Sequence, residues 1–249
     1  MSIFVTTAKK MVKALRFKVQ AGPFKGLKYI IESEGSALGP KLLGTYEKEL
    51  EEIMYEAMSK NLSRILDIGA AEGYYAVGLA TFLPDAKVIA FEASSKGRSL
   101  LKQLAELNGV SSRLDLRGFC TTEEFVSVVA ATPVDFVIMD IEGGEDALLT
   151  EETVAHLKST TLLIEIHEFV VPGIGAKLRE LLGESHTIVE VAATARSLAD
   201  VPGILLRLII QAFRLTGRDY LDEMRPDGMS WMYFAPRDCS VDRELACEK

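Results

Sequence analysis

Asp140, Glu142, Glu145, His167 and Glu168 are the side chains of this sequence best suited to handling a proton or a cation. They fall in two stretches, Asp135-Phe-Val-Ile-Met-Asp140-Ile-Glu-Gly-Gly-Glu145 and Leu162-Leu-Ile-Glu-Ile-His-Glu168, each built on a short apolar run. If those runs are adjacent strands, the polar groups converge on one rim of a sheet. Histidine titrates nearest neutrality, which makes His167 the leading candidate for a general base. The same imidazole can instead be a buried structural group, or one ligand of a cation held with the acids. The spacing is not diagnostic, and no metal ligand set is assigned from it. Gly143 and Gly144 have a plainer reading too, as a turn into a helix whose dipole favours Glu145 and Asp146.

A second constellation suits a nucleoside. The strand-like run Arg64-Ile-Leu-Asp-Ile68 leads into Gly69-Ala-Ala-Glu-Gly73, and a second run, Lys87-Val-Ile-Ala-Phe91, ends at Glu92. Glycine permits close approach and left-handed dihedrals, and an acid at a strand end can accept hydrogen bonds from ribose hydroxyls. Asp67 can steady the turn through backbone amides or through a water. The bland alternative is a tight turn that only packs helix on sheet. Dinucleotide binding requires Gly-x-Gly-x-x-Gly around a pyrophosphate. Here Ala71 replaces the middle glycine, and Glu72 adds a charge expected to repel phosphate. A nucleoside cofactor without phosphate, such as S-adenosylmethionine, fits better.

These residues need a scaffold that brings strand ends together. Short apolar strands are expected at 64–68, 87–91, 113–117, 134–139, 160–166 and 186–192, with a last one at 231–235. Helices are expected at 46–59, 73–82, 95–107, 121–130, 145–157 and 173–182. Strands without polar alternation, joined by helices, predict an α/β Rossmann-like fold with a mostly parallel seven-stranded sheet flanked by helices. The expected organisation is a basic arm and helical cap over 1–60, then a core over 61–249 with a helical insertion at about 195–225. In that insertion Arg207, Gln211, Arg214 and Arg218 form a polar stripe on an otherwise apolar helix. It reads as a helix packed over sheet or pocket, with lid and dimer-contact roles as alternatives.

Composition narrows the class. The 249 residues hold 48% hydrophobic and 26% charged residues, as in an ordinary globular protein. A net charge of −8 disfavours a broad nucleic-acid surface. Seven Lys/Arg and no acid between Met1 and Ile30 nevertheless make a basic arm. Solvation, contact with an anionic substrate or surface, and organelle targeting are its three readings. Cys120, Cys239 and Cys247 lack metal-site or disulfide spacing, so a reducing, cytoplasmic location is expected. No run approaches the length of a membrane span, and homo-oligomerisation is left open.

Ile65-Leu-Asp-Ile-Gly-Ala-Ala-Glu-Gly-Tyr-Tyr75 and Val88-Ile-Ala-Phe-Glu-Ala-Ser94 resemble the first two motifs of class I S-adenosylmethionine-dependent methyltransferases. Asp135–Leu149 and Leu162–Glu168 resemble the FkbM-type branch, with its Asp-x-Glu-Gly-x-Glu signature. The resemblance covers roughly residues 45–190. It implies that Gly69, Ala70 and Gly73 line the methionine moiety, with Asp67 and Ala93 also among the cofactor-binding residues. Glu92 would bind the ribose hydroxyls, Phe119 would flank the adenine, and Gly118 would allow the approach. Asp140 would stand by the methionine ammonium or the reacting centre, and Tyr46 and Glu49 would lie in a pocket-closing segment. Glu72 departs from that branch, which often has a neutral amide there. The resemblance implies an enzyme, a methyltransferase acting on an oxygen of a small metabolite or sugar-like acceptor, with His167, Asp140 and Glu142 at the reacting end. Three alternatives stand beside it: a nicotinamide-dependent oxidoreductase, a non-catalytic scaffold of the same fold, and a methyltransferase acting on RNA or protein.

Overall fold

The computed structural model describes residues 17–214, 219–223, 225 and 228–237. The strands are β1 (Arg64–Ile68), β2 (Lys87–Phe91), β3 (Leu114–Arg117), β4 (Phe136–Met139), β5 (Thr161–Ile166), β6 (His186–Ala192) and β7 (Ser230–Pro236). They form one sheet in the order β3-β2-β1-β4-β5-β7-β6. β7 runs antiparallel to both its neighbours, and the remaining pairings are parallel. The strand order reverses between β1 and β4, and the carboxyl ends there open a crevice.

Alternation along the strands splits the core between two faces. Ile65, Val88, Phe136 and Leu163 belong to one buried cluster, whereas Leu66, Ile89, Val137 and Leu162 belong to the other. Burial on both faces explains why these strands read as unbroken apolar runs. The helices are α1 (Leu38–Leu43), α2 (Glu51–Ser59), α3 (Tyr74–Phe82), α4 (Ser95–Asn108), α5 (Thr122–Ala131), α6 (Glu145–Leu148), α7 (Glu151–Ala155), α8 (Ile174–Leu182) and α9 (Ile204–Arg214). Among the described residues no helix is long and apolar enough to cross a membrane.

Two helices differ from expectation. The 145–157 stretch divides because Thr150 and Thr153 cap each other: each backbone N–H donates to the other's hydroxyl. At 46–59 the regular helix begins only at Glu51, because Glu47 is left-handed at φ 46° and a 3₁₀ turn follows. The first sixteen residues, with four of the seven basic ones, and Cys239 and Cys247 lie outside the described residues. The later part of the basic arm is partly core, since Phe24, Leu27 and Tyr29 are buried.

The polar stripe on α9 is largely committed within the chain. Arg207 donates to the Val201 and Ala199 carbonyls, and Arg214 pairs with Asp219. Gln211 is exposed, and Arg218 lies outside the described residues. Ile210 and Leu206 pack inward, while Ile204, Leu205 and Leu208 face solvent.

Candidate active site

A cavity of about 850 Å³ opens at the β1–β4 reversal, within the size range of small-molecule sites. One end is built by β1, β2 and the loops that follow them. Gly69 has φ +89°, and a Cβ there would lie 1.7 Å from the Asp140 carbonyl oxygen. The glycine is therefore demanded first by the end of β4 pressing against the turn. Gly73, at φ +95°, would drive a Cβ into Leu101, so it is required by helix packing and does not line the cavity. Between them Ala71 is left-handed (φ 48°) and donates its N–H to Glu92 at 2.7 Å. The second Glu92 oxygen accepts from Ser94 N–H at 2.6 Å. Gly97 makes room for this carboxylate, because a Cβ there would meet Glu92 Cγ at 2.9 Å.

Glu72 points the other way. It is fully buried and accepts from Lys41 Nζ (2.6 Å), Tyr29 Oη (2.7 Å), Ser33 Oγ (2.8 Å) and the Glu34 amide (3.2 Å). Burial opposes its charge, but these donors hold its pKa below the ordinary carboxylate value. The expected repulsion of phosphate by Glu72 does not arise, because the charge is neutralised inside the protein. What Glu72 does is fasten the segment before α1 over the cavity. From that segment Glu34 reaches on to Ser94 Oγ at 2.9 Å and Lys96 Nζ at 2.6 Å.

The other end holds the acids and the histidine. β5 alternates, so Glu165 and His167 lie on one side. Glu168 turns away and accepts from the Gly173 and Gly175 amides at the start of α8. His167 is fully buried. Its Nδ1 lies 3.0 Å from Oε1 of buried Glu145, which also accepts from the Ile141 amide. Its Nε2 lies 3.4 Å from Glu142, 3.4 Å from Glu165 and 3.6 Å from Asp140, without a hydrogen-bond partner. Burial alone would lower the imidazole pKa, but the neighbouring Glu145 and Glu165 carboxylates outweigh it and raise it to about 10. The shift moves His167 away from the near-neutral value that recommends an imidazole as a general base. Asp140 is raised well above the usual range, by burial first and then by the Glu165 charge. Glu165 is also penalised by burial, yet contacts with His167, Asp140 and Arg225 hold its pKa low.

Beside this cluster lies a buried network built from the segment before α2 and the stretch between β6 and β7. Arg225 pairs with Glu47 and with Glu165, the latter at 2.7 Å, and lies 5.9 and 6.0 Å from the Tyr46 and Trp231 rings. Arg196 joins Glu49 to Glu223. Burial raises the Glu47 carboxyl to about 7 against the opposing pull of Arg225.

Of the residues singled out in the sequence, Asp67, Gly69, Ala70, Glu92, Ala93, Phe119, Asp140, Glu142 and Tyr46 line one cavity. Gly73, Gly118, His167 and Glu49 do not; His167 stands behind Asp140 and Glu165. Gly118 has open space around it and no left-handed φ, so nothing in the fold requires a glycine there. Sequence reasoning missed Glu165, Arg225 and Lys41. Period-two alternation within the quoted β5 stretch would have found Glu165. Arg225 sat inside a motif legible only as a turn, and Lys41 carried no signal.

No family model matches the chain, and no curated protein matches its sequence. Solved structures do match in shape. The O-methyltransferase from Bacillus cereus in complex with SAH is similar over 94% of this chain and 91% of its own, with a TM-score of 0.51 and 14% identity. The O-methyltransferase TomG from Streptomyces achromogenes, involved in tomaymycin synthesis and solved with SAM, is similar over 94% and 91%, with a TM-score of 0.50 and 13% identity. The fold is the class I Rossmann-like methyltransferase fold, a mostly parallel seven-stranded sheet flanked by helices. The narrower resemblance to the FkbM-type branch is overturned. The architecture is that of the O-methyltransferase structures, not the β-richer FkbM-type fold. The stretches that suggested the branch are explained by local chemistry instead, as strand ends that build the Glu145–His167 cluster.

Proposed function

We propose that this chain is an enzyme that transfers a methyl group from S-adenosylmethionine to an oxygen of a small acceptor. One observation carries the reading: a single cavity joins the Glu92–Ala71 corner to the Asp140 corner, with the Gly69 turn between them. The donor set fits this cofactor. Glu92 stands half-exposed at the end of β2, with lone pairs left for ribose hydroxyls after its two backbone bonds. Phe119, 70% exposed on the cavity wall, offers a face for adenine. Asp67 Oδ2 is buried without a hydrogen-bond partner, and a ligand ammonium would satisfy it.

When bound, this cofactor supplies an electrophilic methyl group. The chain's own contribution is alignment, which in-line transfer needs more than covalent catalysis. Asp140 and Glu142 accept hydrogen bonds from the acceptor and orient its hydroxyl. His167 fixes those acids from behind. Tyr46, Trp231 and Arg225 wall the acceptor end and limit entry of water.

Calorimetric titration of the purified chain with S-adenosylhomocysteine and, separately, NAD tests the cofactor. Saturable binding of the first and none of the second is expected. NAD binding without an S-adenosylhomocysteine signal would overturn the reading. Transfer of labelled methyl to hydroxylated small molecules, with mass spectrometry locating the new O-methyl group, tests the chemistry.

A further inference from the structure

Asp140, Glu165 and His167 each offer one potential ligand atom, and those atoms lie within 4.8 Å of one another. The exposed Glu142 adds a carboxylate oxygen 3.4 Å from His167 Nε2. A gathering of acids would mean little alone. The imidazole supplies the second, independent observation, because it is fully buried and its Nε2 faces the acids with no hydrogen-bond partner. Behind it, Nδ1 meets the buried Glu145 carboxylate at 3.0 Å. A carboxylate on the far nitrogen fixes the tautomer and leaves Nε2 free to ligate, which is how metal-bound histidines are held. Glu145 is itself pinned by the Ile141 amide, so the imidazole cannot swing away without leaving that buried carboxylate only its backbone bond.

We propose that Asp140, Glu165 and His167, completed by Glu142, bind one divalent transition-metal ion at the acceptor end of the cavity. The donor set selects among cations. Magnesium and calcium favour all-oxygen shells, whereas an imidazole among carboxylates suits manganese, iron, cobalt or zinc. Two further facts agree. The acids here outnumber the cationic side chains, with Arg225 the neighbouring positive group and already paired to Glu47 and Glu165. Asp140 Oδ1 is also buried without a hydrogen-bond partner. Binding of the ion depends on these residues alone. Its role, holding an acceptor oxygen beside the methyl donor, rests on the methyltransferase reading.

The probe is Mn²⁺, titrated into chelator-treated full-length protein and followed by calorimetry and electron paramagnetic resonance. One saturable Mn²⁺ per chain is expected, with nitrogen coupling in pulsed spectra and displacement by Zn²⁺ at far lower concentration than by Mg²⁺. His167→Gln should abolish the nitrogen coupling, and Glu165→Gln should weaken binding about tenfold or more. Glu145→Gln, which touches no ion, should weaken it roughly 10- to 100-fold, while the exposed Glu184→Gln should not. S-adenosylhomocysteine binding, measured on each variant, reports whether the fold is intact. Absence of saturable Mn²⁺ binding by protein that still binds S-adenosylhomocysteine overturns the metal site and leaves the methyltransferase reading standing. Mn²⁺ binding without S-adenosylhomocysteine binding supports the site and sinks that reading. Mn²⁺ binding that survives unchanged, nitrogen coupling included, in His167→Gln overturns this assignment of ligands.

Discussion

The missing side chain of Gly69 and the carbonyl of Asp140 occupy the same space: a Cβ at residue 69 would lie 1.7 Å from that oxygen. The turn after β1 and the end of β4 are therefore locked together, and the two ends of the cavity share one rigid contact.

Gly69→Ala should destabilise the protein by more than about 2 kcal/mol, since backbone must move and φ +89° disfavours any side chain. A urea midpoint shift reads this. Binding of S-adenosylhomocysteine should fall with it, even in conditions where the variant stays folded.

Lys41 and Glu72 form an ion pair with side chains 3% and 0% exposed. Removing one partner strands a buried charge, so Lys41→Met should cost about 3–5 kcal/mol. The double variant Lys41→Met with Glu72→Gln should recover much of that loss. A double variant no more stable than Lys41→Met would show that the pair is not the source of the effect.

Glu92→Gln keeps the shape but not the charge of a group that accepts from the Ala71 and Ser94 amides. Its affinity for S-adenosylhomocysteine should drop by roughly 1.5–3 kcal/mol. Titration calorimetry measures the loss, and unchanged affinity would remove Glu92 from the ribose site.

Burial pushes the Asp67 carboxyl up to about 7. A folded-state value above the unfolded one favours folding of the protonated form. Its contribution is complete below about pH 4 and is lost as pH rises through 7. Against Asp67→Asn, the natural chain should therefore lose stability across that window, on the order of a few kcal/mol. Paired urea titrations at several pH values, without cofactor, give the difference. A flat difference would contradict the burial argument.

The sheet was legible because both faces of its strands are buried, which writes β1, β2, β4 and β5 as apolar runs. Glu92 was legible for a related reason: it is the first polar residue after such a run. Glu72 was misread because sequence places it in the turn without saying which way it points. Only Tyr29, Ser33 and Lys41, distant in the chain, determine that. His167 was legible by residue type, but the Glu165 carboxylate beside it was not. Arg196, Glu223 and Arg225 were invisible as a group because they meet Glu47 and Glu49 across 147 to 178 residues of chain.

β7 is wedged between β5 and β6, and Ala192 is the register partner of Ser230. The chain thus leaves the sheet after Ala192 and re-enters it at Ser230, so both ends of the intervening stretch are clamped by the same strand pair. That stretch carries Arg196, Glu223 and Arg225, and it sends Val201, Ile210 and Leu221 into the core. Grafting a foreign stretch between Ala192 and Ser230 that keeps those buried groups should reprogramme which acceptors are taken while the donor half stays intact, making this junction the natural crossover point for chimaeras.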